Sequence, residues 1–600
     1  MPGADARARD PSAKPLDIGT GRVCASFDLE TAAWLSIGTP HPEVGFVELA
    51  NLPLFDERRR GHPDATRAHR LRMTLGEHAF LAVELDGRPP IMTPRPDEPG
   101  WSAPGIEVRA AAEAGSRVIR QEWRLARPTT IRLRICGAID RPALAEITEI
   151  DPPGPTGART RREIVGDAVR LTAVGLAVHS EVRVVGPRST WSAEGDDLVG
   201  HVGVSAGTRL VVEVSLVTDD EDARSVARSV AWEPPPSGLG AMVDRALAYI
   251  RGCAALEVAP GERTMLTDHR ILPLSWTRDA YWQALALLAA DAPGDRERVA
   301  DHLRWLWRRC ERPDGRWVRS HHANGRRKDL AFQADQQLYP LVELADYWRL
   351  TRRLPEGVDW DAEVARAWEA ALDAVDPRVG LMASAENAAD DPAAAPFVGA
   401  SQVLLWYTAR RVGELAENGA VPASAGQFDR VATDVREAFT ALLENSPGPW
   451  AHAVDGAGRR VDYHDANDLP IALAPMLGFC DAGDAGWRAT MAFAFSPANP
   501  GWFDGDRPGL GSAHTPGPWT LGDVQAWLHA TTIGDDEAAA AALRRLETVA
   551  FVDGMLPEAY SATGDARVRH WFAWPGAALA AMRLLHRDGD RERLSASPVR

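Results

Sequence analysis

Residues 232–238 read WEPPPSG, and the residue pattern of the chain changes across this stretch. Three consecutive prolines have fixed φ angles and no backbone N–H groups, so they continue neither a helix nor a strand. We therefore predict a proline-rich linker at 233–239, between a first domain at 17–232 and a second at 240–590.

The first domain has the two-residue period of β-strands. Runs such as AFLAVELDG (79–87) and RLVVEVSLVTD (209–219) alternate apolar and polar residues and are separated by Gly, Pro and Asp turns. This pattern predicts antiparallel sheets packed as a β-sandwich. No constellation of titratable residues stands out in this domain.

The second domain has the period of amphipathic helices, as in VARAWEAALDAV (364–375). We predict about twelve helices in series, which indicates six helical hairpins closed into an (α/α)6 barrel; an open superhelical array of hairpins is the alternative. The predicted helices span 239–256, 277–291, 296–311, 334–352, 360–374, 399–418, 425–445, 468–481, 485–495, 520–533, 536–549 and 572–587.

Polar motifs precede or begin every second predicted helix, roughly every 59 residues between Trp276 and Trp571. If alternate helices form an inner ring, these motifs meet at one end of the barrel, where free helix N–H groups also favour oxygen ligands. A capping role explains one or two such motifs but not six in the same phase. The motifs are SWTRD (275–279), FQADQQ (332–337), ENAADD (386–391), HDAND (464–468), SAHTPGPW (512–519) and HWFAW (570–574).

Composition and charge argue against several classes of function. The net charge is −17 without a long basic block, which argues against a nucleic-acid or anionic-membrane partner. No apolar run reaches the about 18 residues of a spanning helix, and the N-terminus lacks the apolar segment of a secretory signal. We therefore expect a cytoplasmic protein. Five scattered cysteines without a CxxC pair predict free thiols rather than disulfides or a zinc site.

Carboxylates in these motifs are the remaining candidates for chemistry. The sequence contains no GxSxG, P-loop or HExxH motif and no clear metal-ligand spacing, so no cofactor or metal is predicted. Hydrolysis of a glycosidic bond needs two carboxyl groups, an acid and either a base or a nucleophile. The candidates are Asp279, Asp335, Asp390, Asp391, Asp465, Asp468 and Glu558.

Their surroundings predict different roles. Asp279 and Asp335 begin inner helices, where we expect ionised carboxylates that bind sugar hydroxyls or neighbouring groups. The adjacent acids Asp390 and Asp391 lie on a loop of small residues, and crowding or burial there favours the protonated form that a general acid needs. A solvated loop is the alternative for this pair.

The stretch 553–576, DGMLPEAYSATGDARVRHWFAWPG, places Glu558 among aromatic rings and hydrogen-bond donors. Rings stack on the C–H faces of a sugar, and polar groups bind its hydroxyls. A loop acid beside a buried aromatic cluster is the alternative. The rings are Tyr560, Trp571 and Trp574, and the donors are Arg567, Arg569 and His570.

Several strings together resemble glycoside hydrolase family 125, the metal-independent exo-α-mannosidases. DYHDANDLP, SPANP and GLGSAHT, all within 451–515, are similar to the family's DDAN-VP, S-x-x-NP and G-x-GSPHT. GMLPEAY (554–560) with WFAW (571–574) resembles G-x-MHESF with WFAWAN, and SWTRD resembles WLRDS. GLMASAENAADD (380–391) aligns with GL-x-WSGFRPSDD without a gap. The resemblance covers roughly 260–590 in motif order.

This resemblance implies an (α/α)6 barrel and an inverting mechanism with an Asp acid and a Glu base. The base falls on Glu558. The acid falls on Asp390 or Asp391, and related six-hairpin glycosidases with an ESGWD-like motif favour Asp390.

Four positions depart from the family pattern. Its Trp and Arg before the acid pair become Ala383 and Asn387, its His before the base becomes Pro557, and its Asn after WFAW falls on Pro575 or Gly576. A β-sandwich before the barrel is instead similar to glucoamylase-like hydrolases and disaccharide phosphorylases. We therefore expect the chemistry to be kept and the sugar specificity to differ.

We predict an inverting, exo-acting glycoside hydrolase that cleaves a terminal α-linked mannoside or another hexoside. The alternatives are a phosphorylase, in which phosphate replaces the activated water, and a non-catalytic carbohydrate-binding protein. The partner is an oligosaccharide or glycoside, and homo-oligomerisation is left open. The predicted substrate ligands are Trp276, Arg278, Asp279, Gln333, Asp335, Gln336, Asp465, Asn467, His514, Thr515, Trp519, Tyr560, His570, Trp571 and Trp574.

Overall fold

The computed structural model describes residues 14–51, 79–95, 99–142, 156–218, 238–421, 425–445, 448–564 and 570–587. The predicted linker lies outside these residues except for Gly238 and Leu239, and so do Arg567 and Arg569. The domain bounds 17–232 and 240–590 therefore stay predictions.

Two antiparallel sheets form the first half of the chain. One has the order β1-β2-β3-β5-β10-β16-β15, with β4 pairing with β3 and β11; the other has the order β12-β13-β14-β17-β9-β8-β7-β6. The strands are β1 Leu16–Gly19, β2 Cys24–Phe27, β3 Trp34–His41, β4 Gly45–Ala50, β5 Leu81–Leu85, β6 Thr93–Arg95, β7 Gly100–Ala103, β8 Ile106–Ala112, β9 Val118–Leu125, β10 Thr129–Ile135, β11 Ala138–Asp140, β12 Arg159–Val165, β13 Ala168–Val174, β14 Val178–Val185, β15 Ser189–Glu194, β16 Asp197–Val204 and β17 Arg209–Thr218.

The two sheets pack face to face, because alternate residues of each strand point inwards. In β9, every second side chain is buried. Trp34 from one sheet and Trp123 from the other donate their indole N–H groups to the same Gln121 oxygen, at 3.0 and 3.1 Å. The predicted antiparallel β-sandwich is confirmed.

Twelve α-helices and the separate helical turn Ala474–Leu477 follow within the described residues. The α-helices are α1 Ala241–Tyr249, α2 Thr277–Ala290, α3 Asp295–Arg304, α4 Ala334–Thr351, α5 Trp360–Leu372, α6 Gly399–Glu417, α7 Ala425–Leu442, α8 Leu469–Ala472, α9 Ala485–Ala494, α10 Thr520–Ile533, α11 Asp536–Val549 and α12 Ala573–Arg587. Short antiparallel strands lie between them. Ala255–Ala259 pairs with Glu262–Met265, Leu274–Ser275 with His321–His322, and Trp502–Phe503 with Gly509–Leu510, whereas Ala453–Val454 pairs with both Phe397–Val398 and Arg460–Val461.

The even-numbered helices form a closed inner ring. Each contacts the next even-numbered helix, and α12 returns to contact α2. The (α/α)6 barrel is confirmed, and the open superhelical alternative is wrong. Three predicted helices are interrupted. Those expected at 239–256 and 296–311 change to π-helical turns at Ile250–Ala254 and Trp305–Arg309, and the one expected at 468–481 divides into α8 and the single turn Ala474–Leu477. Pro475 explains this division, because it has no N–H group to continue the ladder.

The inner helices begin directly at the polar motifs. Trp276, Gln333 and Trp519 have extended backbone angles and immediately precede α2, α4 and α10. Asp468 precedes α8, and the 386–391 motif lies in the loop before α6. The predicted polar motifs therefore meet at one end of the ring of inner helices, where the candidate site lies. No helix in the described parts of the chain has the length and apolar character needed to cross a bilayer.

Candidate active site

Asp390, in the 386–391 motif, contacts residues of two other polar motifs, 275–279 and 332–337. Its backbone has φ 64°, a left-handed conformation that few non-glycine residues adopt and in which Asp is enriched. Oδ2 accepts a hydrogen bond from Nε1 of Trp276 at 3.0 Å. Oδ1 accepts from Nε2 of Gln333 at 2.6 Å and from Nη2 of Arg278 at 3.4 Å. These donors fix the orientation of the carboxyl group.

Gln333 links Asp390 to a second carboxylate that the sequence did not single out. Its amide nitrogen also donates to Oε2 of Glu386 at 3.0 Å. Glu386 is held by Arg319, whose Nη1 lies 3.1 Å from Oε1. Burial raises the pKa of Glu386 despite the opposing charge of Arg319. Glu386 lies within the ENAADD motif, so its position was a usable signal, whereas Arg319 had none.

Arg278 connects Asp390 to two other acids. Its Nη1 donates to Oδ2 of Asp335 at 3.0 Å, and its Nε lies 3.5 Å from Oδ1 of Asp279. Burial raises the pKa of Asp335, although Arg278 opposes the shift. Burial raises the pKa of Asp279 to about 7. The sequence predicted an ionised Asp279, but its carboxyl group is almost fully buried, and burial works against ionisation.

His514 lies among three carboxyl groups. Its Nδ1 is 3.1 Å from Oδ1 of Asp391. Burial would lower the pKa of His514, but the hydrogen bond with Asp391 and the charges of Glu558 and Asp390 raise it to about 9. The imidazole is therefore a cation at neutral pH. The two predicted acids, Asp390 and Asp391, and the predicted base, Glu558, thus all raise the pKa of His514.

Glu558 is 5% exposed and lies in a loop that is held by its backbone. Its N–H donates to the carbonyl of His570 at 2.8 Å, and its own carbonyl accepts from the N–H of Thr520 at 3.3 Å. Single bridges pair Pro557 with Trp571 and Ala559 with Trp519. Within the described residues, the Glu558 carboxylate has no hydrogen-bond or ion-pair partner, so it has accessible lone pairs for a ligand or water.

Asp465 and Asn467 form a tight local network. Tyr463 and Ser512 donate to Oδ2 of Asp465 at 2.6 and 2.8 Å, and Nδ2 of Asn467 donates to its Oδ1 at 2.8 Å. Asp468 pairs with His452 at 3.0 Å. These contacts shape the loop before α8 and support Ser512, two residues before His514.

Other predicted substrate ligands make contacts within the protein. Tyr560 donates to Oδ2 of Asp523 at 2.8 Å. Trp571 is 0% exposed, which leaves no ring face for a sugar. Gln336 accepts a hydrogen bond from Thr277 at 2.5 Å, and its Nε2 donates to Gln333 at 3.1 Å. The structure does not bring Tyr560 or Trp571 to the Asp390 carboxyl group.

The remaining predicted ligands have different surroundings. His570 Nε2 lies 3.1 Å from Asp268. The Trp519 indole donates to the Thr515 carbonyl at 2.8 Å. The ring of Trp574 faces the Arg278 guanidinium at 5.7 Å. Among the residues that the structure describes, no group of three or more His, Cys, Asp and Glu side chains is arranged to hold a metal ion.

Comparison with known proteins shows which family the barrel resembles. The family model of the metal-independent α-mannosidases, glycoside hydrolase family 125, matches residues 365–584. Among curated protein sequences, none matches the chain.

Two solved structures share the fold. The structure of a metal-independent α-mannosidase from Streptococcus pneumoniae, in a non-productive complex with α-1,6-mannobiose, is 20% identical with a TM-score of 0.50 and covers 58% of this chain and 93% of its own. A bacterial glucoamylase complexed with acarbose is 12% identical with a TM-score of 0.63, over 99% of this chain and 96% of its own. The resemblance predicted from the motifs is therefore confirmed: residues 365–584 match the family model of the metal-independent α-mannosidases, and this chain is similar in fold to a solved structure of that kind.

Proposed function

We propose that this glycosidase is an inverting, exo-acting enzyme that removes a terminal α-linked sugar of the mannose type, with Asp390 as acid and Glu558 as base. One arrangement carries the proposal: the imidazole of His514 lies 3.1 Å from Asp391, and the charges of Asp390 and Glu558 are near enough to raise its pKa. Two of these carboxyl groups suffice for acid–base hydrolysis of a glycosidic bond.

Asp390 has the contacts of an oriented acid. Gln333 and Arg278 both donate to Oδ1, so Oδ1 is the carbonyl-like oxygen when the group is protonated. Oδ2 accepts only the indole N–H of Trp276 among its hydrogen bonds in the described residues, and it can therefore carry the proton. In the reaction this proton passes to the glycosidic oxygen as the bond to the anomeric carbon breaks.

Glu558 acts on the opposite face of the sugar ring. Its carboxylate accepts a proton from a water molecule, and the water oxygen attacks the anomeric carbon. The His514 cation supports this role, because it places a positive charge near the carboxylate of the proposed base. In an inverting enzyme the two carboxyl groups stand about 6.5–9.5 Å apart, which leaves room for the water.

The terminal sugar binds between these two groups. Trp276 offers an indole edge, Arg278 and Asp335 offer hydrogen bonds to hydroxyl groups, and Trp574 offers an aromatic ring beside Arg278. The residues at Ala383 and Asn387 differ from the family pattern near Asp390, so we expect the accepted sugar to differ from that of the family.

The product's anomeric configuration tests the proposal. The protein is incubated with 4-nitrophenyl α- and β-D-mannopyranosides and the matching glucosides, and proton NMR follows the first-formed sugar. We expect hydrolysis of an α-glycoside and initial release of the β-anomer, with no dependence on phosphate. Initial release of the α-anomer would contradict inversion, and a sugar 1-phosphate formed only with phosphate would identify a phosphorylase.

A further inference from the structure

Lys14 is a buried lysine that joins the sandwich half of the chain to the barrel. Its Nζ lies 2.6 Å from Oδ2 of Asp17 and 2.7 Å from Oδ2 of Asp553. It also lies 4.7 Å from the centre of the Trp571 ring. The lysine side chain is fully enclosed, so these interactions act at low dielectric and are weakly screened by salt.

Asp553 and Trp571 stand at the two ends of the loop that carries Glu558. The N–H of Met555 donates to Asp553 at 3.2 Å at the first end. At the second end, Trp571 bridges to Pro557, the residue before Glu558. One ammonium group therefore contacts both ends of the loop that presents the carboxylate.

The surrounding backbone makes this junction rigid. Gly19 at the end of β1 packs directly on Gly252 after α1, where an added Cβ on Gly19 would lie 2.1 Å from the Gly252 carbonyl oxygen. Gly21 donates its N–H to the same carbonyl at 2.9 Å. Arg245 of α1 adds a second ion pair to Asp553, at 3.0 Å. The segment at Lys14 is thus held against the barrel from both sides.

We propose that Lys14 is a positioning residue that holds the Glu558 loop in its reactive geometry, an inference that rests on the proposed role of Glu558 as base. The sandwich half of the chain then contributes to catalysis without touching the sugar. A small displacement of a catalytic group can cost about 100-fold in rate. We expect such a loss to affect kcat and not KM, because the proposed sugar ligands Trp276 and Arg278 lie in the 275–279 motif, outside the Glu558 loop.

The test compares Lys14→Met and Lys14→Arg with the wild-type full-length chain on the best aryl α-glycoside. We expect Lys14→Met to lower kcat by about 10-fold to 100-fold with KM unchanged, at a temperature where circular dichroism shows it folded. We expect Lys14→Arg to recover most of kcat. Arg22→Met is the matched control, since it removes the sandwich–barrel ion pair with Glu257 at 2.7 Å, away from the loop.

A double variant separates positioning from loss of stability. Lys14→Met leaves Asp553 with one cation fewer, and Asp553→Asn removes that imbalance. Recovery of kcat in Lys14→Met/Asp553→Asn, or normal kcat in Lys14→Met alone, would overturn the inference. Persistently low kcat in the double variant supports it.

The Glu558→Gln variant distinguishes a failure of the proposed function from a failure of the proposed role of Lys14. If the wild type is active and Glu558→Gln retains its kcat, the base assignment is wrong and the inference falls with it. If Glu558→Gln is inactive while Lys14→Met is normal, only the role of Lys14 is wrong.

Discussion

Nδ1 of His514 lies 3.1 Å from Oδ1 of Asp391. The negative charges of Asp390 and Glu558 also raise the pKa of this imidazole. The His514–Asp391 pair holds a cation beside the proposed catalytic carboxyl groups. The pKa of His514, about 9, is above the ordinary value near 6.5 because Asp391 and the nearby charges outweigh burial. The charge is therefore present at neutral pH and is lost as pH rises through about 9.

Replacement of His514 by Gln should remove a pH-dependent stabilisation. The folded state binds the His514 proton more tightly than the unfolded state, so the stabilisation is full below about pH 6.5 and disappears above about pH 9. We expect the melting temperature of the wild type to exceed that of the variant at pH 6 and this excess to shrink by pH 9.5. Scanning calorimetry at several pH values measures the difference, and parallel curves would exclude a His514 cation.

Replacement of Glu558 by Gln should abolish base catalysis. The amide keeps the volume of the side chain but cannot accept the proton of the attacking water. We expect kcat to fall by at least about 100-fold, in line with the loss of general base catalysis. Initial rates on the best aryl α-glycoside measure the effect. Glu437→Gln, an exposed glutamate on α7, is the control and should keep wild-type turnover.

Asp390→Asn and Asp391→Asn should differ in their dependence on the leaving group. An acid matters most for a poorly leaving alcohol and little for 2,4-dinitrophenolate, which departs without a proton. We therefore expect Asp390→Asn to lose far more activity on an alkyl glycoside than on the dinitrophenyl glycoside. Asp391→Asn should lower both rates by a similar factor, through His514. The opposite pattern would assign the acid to Asp391.

The periodic parts of the sequence predicted the fold well. Alternation at 79–87 and 209–219 predicted β5 and β17, and a polar motif before every second helix predicted an inner and an outer layer of helices. Helix ends were accurate where a cap or loop was clear, as at α2. They failed where Pro475 divides the helix expected at 468–481.

The candidate site was predictable in outline but not in its pairings. Asp390, Arg278 and Gln333 lie in separate motifs, and the barrel brings them into contact. The Arg319–Glu386 pair joins residues 67 positions apart, and Lys14 bonds to a residue 539 positions away. Contacts of this kind depend on tertiary packing and leave no local pattern. Trp571 and Trp574 likewise share one motif but differ in setting, because α12 begins between them at Ala573.

Replacement of Asp279 by Asn should change how stability depends on pH between about 4 and 7. Burial raises the pKa of Asp279 from 3.8 to about 7, so the folded state holds a proton that the unfolded state releases. The contribution of Asp279 to stability is thus full below about pH 4 and is lost as pH rises through about 7. The amide introduced by Asp279→Asn cannot ionise, so we expect the stability of the wild type relative to this variant to fall over this range. Urea unfolding of both proteins at pH 4.5 and 7.5 measures this change in relative stability.

Thr267 donates to the same carboxyl group in the wild type, and Thr267→Val is the companion variant that tests this hydrogen bond alone. A pH-independent difference between wild type and Asp279→Asn would show that Asp279 is ionised throughout, held by Arg278.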